Sequence, residues 1–365
     1  MIISSIIPLA YYTPVFYNLI LLVVFFAIVK VYNKGISFGF YNRIDQRTFL
    51  LMISVVLYMG LRPISGRYFG DMGTYSRYFE EYAFGEAVVR DKDLLFHYFM
   101  KFSSHFMSVN LFFLSCAYIY IFAKYKATKN WLKENNYYLF LMMIASFSFW
   151  AYGVNGIRNG IATSLFLLGL SYGSNKKTLH IGLIISSYFV HSSLIIPIAA
   201  YVLSILYKKP KYYLVGWLLS IPISLALGSS LETFVAAAGF EDDRVSYLTD
   251  GNINDDSFAY TGFRWDFLVY SASAIFTGYY FIIKKNFRDK QYIQLFNIYV
   301  TANAFWILII RANFSNRFAY LSWFLMPVVI FYPFLKQELI RNQRRVLVYA
   351  MLAYFGFTYL MFLIN

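Results

Sequence analysis

The chain is 365 residues long, 59% hydrophobic and 22% aromatic but only 14% charged, and 32 Lys and Arg against 18 Asp and Glu give a formal net charge of +14. A soluble domain is about 25% charged, so this composition excludes a cytosolic protein, a secreted domain and a nucleic-acid-binding module. The single cysteine, Cys116, lies in an apolar run and can form no internal disulfide.

Charge-free runs cover 1–29, 135–157, 178–207, 212–231, 291–310, 318–335 and 346–365. A helix needs about 20 mostly apolar residues to cross a bilayer, so the recurrence of such runs predicts an all-α, polytopic membrane protein. The first run has no basic start and is followed by others, which argues for a retained span and against a cleaved signal peptide. Between the runs sit basic clusters: Lys30, Lys34, Arg43 and Arg47; Lys124, Lys126, Lys129 and Lys133; Lys176 and Lys177; Lys208, Lys209 and Lys211; Lys284, Lys285, Arg288 and Lys290; and Lys336, Arg341, Arg344 and Arg345. The positive-inside rule places these clusters in the cytoplasm. They hold 21 basic and four acidic residues, a net +17, which leaves −3 for the rest of the chain. The basic excess therefore orients the protein and says little about its substrate.

Run 178–207 conflicts with that rule, because a single outward crossing would strand the Lys208 cluster outside. A break near His191-Ser192-Ser193 resolves the conflict by making two short helices that return to the cytoplasmic side. The expected crossings are then 13–30, 48–61, 108–123, 137–153, 157–173, 179–190, 193–207, 212–228, 266–283, 292–310, 318–335 and 346–363, twelve in all, or ten to eleven if the shortest do not span. Both termini are expected outside, with two larger outer loops at 62–107 and 229–265. Within the first loop, Leu94–Met107 carries Phe96, Phe99, Met100 and Phe106 and is expected as a helix on the outer interface. No repeat or linker divides the chain, which reads as one membrane domain over 1–365. Most of its 35 Tyr and 39 Phe read as interfacial belts and lipid-facing packing.

A charge at helix depth costs a few kcal/mol on insertion scales, so the polar residues the runs retain are the functional candidates. In Tyr152–Ala162, the helical period puts Asn155, Arg158 and Asn159 on one face and Gly153, Gly156 and Gly160 on the other. A guanidinium between two amides suits phosphate or sugar oxygens; the plain alternative is an arginine that snorkels to headgroups. His191 lies mid-run at the expected break, where an imidazole can take a proton near neutral pH or simply bond for packing. Arg311-Ala312-Asn313-Phe314-Ser315-Asn316-Arg317 forms a short outer loop, readable as a site or as interfacial anchoring. Arg62, Arg67 and Asp71 lie in the Gly-rich exit from the second crossing. Arg264 and Asp266, entering the ninth, pair with one another or face the same cavity. All five groups fall on the outer side. Several arginines around one cavity make an anion site, and at that depth the natural anion is a lipid-linked phosphate.

No Walker loop and no Gly-x-Ser-x-Gly elbow is present, and His97 and His105 lack partners at zinc spacing, so neither cofactor nor metal is expected. Asp91-Lys92-Asp93 has the Asp-x-Asp form of a divalent-metal site, but in a charged stretch it reads as solvated.

At these residues the sequence resembles the Wzy-type polysaccharide polymerases, in particular the EpsG-like family. The resemblance rests on an ordered set: Arg67, Gly70, Asp71 and Tyr75 opening the first outer loop, Arg158-Asn159-Gly160-Ile161-Ala162 opening a helix, His191-Ser192-Ser193 opening a crossing, and Asn316-Arg317 entering a late one. Together they span 62–335, and order and spacing carry the specificity, since each motif is short. The resemblance implies a GT-C-like membrane glycosyltransferase of the bacterial inner membrane, active on its periplasmic face. Such an enzyme joins oligosaccharide repeat units carried on undecaprenyl pyrophosphate and transfers the growing chain en bloc to a new unit, for O-antigen, capsule or exopolysaccharide. It implies a flippase and a chain-length regulator of the same route as partners. On this reading Arg158 and Arg317 hold the pyrophosphate, with Arg67, Arg311, Arg62 and Arg264 in support. His191 is the base and Asp71 the reserve, while Asn155, Asn159 and Asn316 orient sugar or phosphate oxygens. Two alternatives remain open: a flippase for lipid-linked oligosaccharides, and a transferase that uses a polyprenyl-phosphate sugar with Asp71, Asp91 or Asp93 as base or metal ligand.

Overall fold

The computed structural model describes residues 7–36, 38, 46–237, 262–312 and 315–364, the side chains of 174–175, 229, 231–237 and 315–316 excepted. Most of the expected outer loop 229–265, together with Thr261, Asn313, Phe314 and the side chain of Asn316, lies outside the described residues. Among those described, every regular element is helical.

Contacts divide the chain into two compact units, residues 1–194 with 334–365, and residues 195–333. The first unit begins with α1 (Leu9–Lys34), which Gly35 ends at φ 71° with its N–H donated to the Val31 carbonyl, and α2 (Gln46–Gly60). Between these and the next long helix the chain folds into α3 (Gly66–Phe69), α4 (Met72–Ala83) and α5 (Leu94–Ser104), so the expected outer loop 62–107 is largely helical. Next come α6 (Val109–Trp131), α7 (Asn136–Ile144), α8 (Phe147–Val154), α9 (Ile157–Tyr172) and α10 (Lys177–Val190). Helix α6 packs against α2 and α9, and α9 against α10. A Cβ on Gly60 would lie 2.8 Å from the Leu114 Cα, so only glycine lets α2 approach α6 this closely.

The second unit holds α11 (Ile195–Leu206), α12 (Pro210–Ala237), α13 (Trp265–Tyr279), α14 (Lys290–Leu308), α15 (Ser315–Trp323) and α16 (Met326–Lys336, whose last residues belong to the first unit). Helix α14 packs against α11, α12, α13 and α15. Its buried Asn303 accepts from Trp217 Nε1 at 2.8 Å and lies 3.1 Å from Ser322 Oγ, so the polar groups it brings into this apolar core are paired. Helix α17 (Gln343–Ile364) returns to the first unit and packs on α1.

Five helical stretches are long and apolar enough to cross a membrane: Leu9–Lys34, Pro210–Gly228, Trp265–Lys284, Arg317–Lys336 and Gln343–Ile364. A sixth is added if α7 and α8, bent by 66°, form one span, and three shorter apolar helices accompany them. The chain is thus a multi-pass membrane protein. Others of the twelve expected crossings fall on helices that are shorter or more polar, such as the 16-residue α9, or α6 with Lys124, Lys126 and Lys129 in its second half. Run 178–207 is broken where the charge conflict required. Helix α10 ends at Val190, a 3₁₀ turn covers Ser192–Leu194, and α11 starts at Ile195.

Candidate functional site

The break after α10 and the start of α9 meet the N-terminus of α5 within the first unit. Asp93, immediately before α5, has left-handed dihedrals (φ 55°, ψ 33°), and its carboxylate does not cap its own helix. It is instead directed into the fold: Oδ2 accepts from Arg158 Nη1 at 2.6 Å, and Oδ1 accepts the Ser192 N–H at 2.8 Å. His191 Nδ1 lies 3.6 Å from the same Oδ1. The Asp93 and His191 side chains are 4% and 7% exposed and that of Arg158 is 19%, so the ion pair is shielded but Arg158 reaches the surface. Arg158 Nε also donates to the Tyr75 hydroxyl at 3.1 Å.

The solvated reading of Asp91-Lys92-Asp93 holds for two of its three residues. Asp91 and Lys92 are exposed, but Asp93 is buried, because α5 packs on α10 and carries it inward. A signal was available: a cation as deep as Arg158 needs a counter-ion, and an Asp directly before an amphipathic helix sits where the fold can supply one.

Asn155, Arg158 and Asn159 do not share one continuous helical face. Helix α8 ends at Val154, Asn155 follows it, and Gly156 (φ −82°, ψ 51°) separates it from α9. Arg158 and Asn159 remain neighbours in the first turn of α9, where Asn159 Oδ1 accepts from the Ser193 hydroxyl at 3.0 Å. Asn155 Oδ1 accepts the Asp71 N–H at 2.9 Å. That approach requires glycine at position 70, where φ is 56° and a Cβ would collide with the same amide oxygen. Two motifs far apart in sequence are thereby joined, and Asn155 serves the fold at that contact. Gly153 and Gly160 both face the Tyr120 ring, as a close helix approach requires.

Arg62 is 2% exposed and lies between the rings of Phe69 and Phe113, donating to the carbonyls of Met59 and Val154. It ties the end of α2 to the end of α8 and is a structural group rather than an exposed anion ligand. Arg67 is exposed, with its guanidinium over the Tyr68 ring. In the second unit, Arg264 pairs with Asp266 through Nε and Nη2 at 2.9 and 2.6 Å and covers the Phe267 ring. Arg311 is exposed beside Gly228, and Arg317 is part-buried near the start of α15. His97 and His105 are occupied locally. The Tyr82 hydroxyl, whose phenol burial pushes up, shares a hydrogen bond with His97 Nδ1 at 3.0 Å, while His105 Nδ1 bonds the Lys101 carbonyl at 2.7 Å. Among the described residues, no three His, Cys, Asp or Glu side chains converge as metal ligands.

The sequence profile of the EpsG family matches residues 48–365, which includes the Asp93, Arg158 and His191 cluster. The chain belongs to the EpsG family. That membership supports a membrane function of the polysaccharide-polymerase kind and accounts for the multi-pass architecture. A search of curated proteins and a search of solved structures each gave no match.

Proposed function

We propose that this EpsG-family protein is a glycosyltransferase of the bacterial inner membrane that polymerises undecaprenyl-pyrophosphate-linked oligosaccharide repeat units on the periplasmic face. The observation that supports it most is the Asp93–Arg158–His191 cluster, which puts a partly accessible guanidinium and an imidazole around one carboxylate at a helix break. In the reaction, the bond between the anomeric carbon of the growing chain and its pyrophosphate oxygen breaks, and the electron pair leaves on the pyrophosphate. The acceptor hydroxyl oxygen of the new unit bonds to that carbon, and its proton passes to His191. Arg158 stabilises the charge that develops on the leaving group. Asp93 holds Arg158 in place and stabilises the imidazolium once His191 is protonated. No nucleotide is needed, because the leaving pyrophosphate drives the transfer. A chain-length regulator and the flippase of the same route are the expected partners.

The test is the polysaccharide ladder made in cells by His191→Ala, Arg158→Ala and, as an independent probe of the second unit, Arg317→Ala, each at unchanged protein level. Loss of long chains with single repeat units still displayed outside is expected for His191→Ala and Arg158→Ala. Full-length polysaccharide from both would overturn the assignment. Repeat units stranded in the cytoplasm would instead identify a flippase.

A further inference from the structure

The second unit contains a groove of about 440 Å³ between α11, α12 and α14, lined by Leu203, Tyr207, Tyr212, Trp217, Phe305 and Leu308 among others. The polar groups of its wall are turned into the protein. Tyr213 donates to the Leu203 and Tyr207 carbonyls at 3.0 and 2.6 Å, Ser220 to the Trp217 carbonyl at 2.7 Å, and Thr301 to the Asn297 carbonyl at 2.9 Å. Trp217 Nε1 is taken by Asn303. The wall therefore offers carbon to its occupant, and the matching chemistry is a hydrocarbon chain.

The mouth is different. Tyr207 and Tyr212, both groove residues, bracket the turn Lys208-Lys209-Pro210-Lys211, whose three lysines are exposed and pair with no acidic side chain among the described residues. Basic pockets between membrane helices on the cytoplasmic side suit anionic headgroups, and the positive-inside rule assigns this turn to that side. We propose that the groove holds one acyl chain of an anionic phospholipid whose phosphate rests on Lys208, Lys209 and Lys211. Its volume is on the scale of a single acyl chain, and the tail of a lipid-linked substrate is the competing occupant that the test must separate from it.

Gly216 opens onto empty space, with no atom within 4 Å of where a Cβ would stand, so Gly216→Phe puts a ring in the groove without a backbone clash. The full-length protein in mild detergent is mixed with phosphatidylglycerol or phosphatidylcholine, and retained lipids are counted by native mass spectrometry. One phosphatidylglycerol per chain is expected at a concentration where phosphatidylcholine is lost. Lys208→Gln/Lys209→Gln/Lys211→Gln should reduce retention to the phosphatidylcholine level, and Gly216→Phe should abolish it. Equal retention of both lipids by the parent protein overturns the proposal, as does undiminished phosphatidylglycerol on Gly216→Phe. Displacement of phosphatidylglycerol by equimolar undecaprenyl phosphate gives the groove to the isoprenoid and also overturns it.

Discussion

Asp93 shows how one side chain can organise three segments of chain. Its two oxygens bind Arg158 and the Ser192 N–H, so the start of α9 and the break after α10 are both fixed to the start of α5. Removing one partner of a buried pair leaves an uncompensated charge, at a cost of about 3–5 kcal/mol. Asp93→Ala is therefore expected to lower the thermal midpoint of the purified protein by several degrees. Asp93→Asn should cost less, since its amide oxygen still accepts the Ser192 N–H. Adding Arg158→Ala to Asp93→Ala should recover part of the loss, because the orphaned charge is gone; strictly additive losses would mean that the pair is not coupled. Arg158 and His191 were readable from the sequence as polar residues in apolar runs. For Asp93 the need of Arg158 for a counter-ion was the one signal, and its neighbours Arg90, Asp91 and Lys92 masked it by giving the look of a solvated stretch, while the packing of α5 on α10 buries it.

At the scale of the helix, apolar length and charge placement made the membrane character and the break at 191–193 legible. The bends were harder to read. Asn155 and Arg158 fit one helical face on paper, yet Gly156 interrupts the helix there and frees the Asn155 amide to hold the Asp71 turn. Glycines divide the same way between contact and open space. Gly60→Ala places a methyl group 2.8 Å from the Leu114 Cα and 2.6 Å from its Cδ1, so α2 must shift on α6. Overpacking of this kind costs about 1–3 kcal/mol. Gly182, inside α10, has nothing within 4 Å, so Gly182→Ala is expected to stabilise by about 0.5–1 kcal/mol through helix propensity. Thermal unfolding of the two variants in one detergent should move in opposite directions; equal shifts would remove the close approach of α2 and α6 as their cause.

For the whole molecule, the charge pattern carries a topology that can be tested without reference to any reaction. Basic clusters at Lys176–Lys177 and Lys208–Lys211 flank a run that is broken at His191–Ser193, so the positive-inside rule predicts that both face the cytoplasm although an apolar stretch of 30 residues separates them. A single unbroken helix through that run would put them on opposite sides. Cys116 is buried and should not react with a membrane-impermeant maleimide, which leaves a silent background for single-cysteine variants. Cysteine at Lys177 or Lys208 is expected to label only after the inner membrane is permeabilised. Cysteine at Val89, which is 84% exposed in the segment between α4 and α5, is expected to label in cells whose inner membrane is intact. Labelling at Lys208 but not at Lys177 in intact cells would make 178–207 one crossing. That would move His191 away from the outer side and remove the basis for its role as base there. Protection of Val89 together with labelling of both lysine positions would invert the protein, and with it the face proposed here for the Asp93–Arg158–His191 cluster.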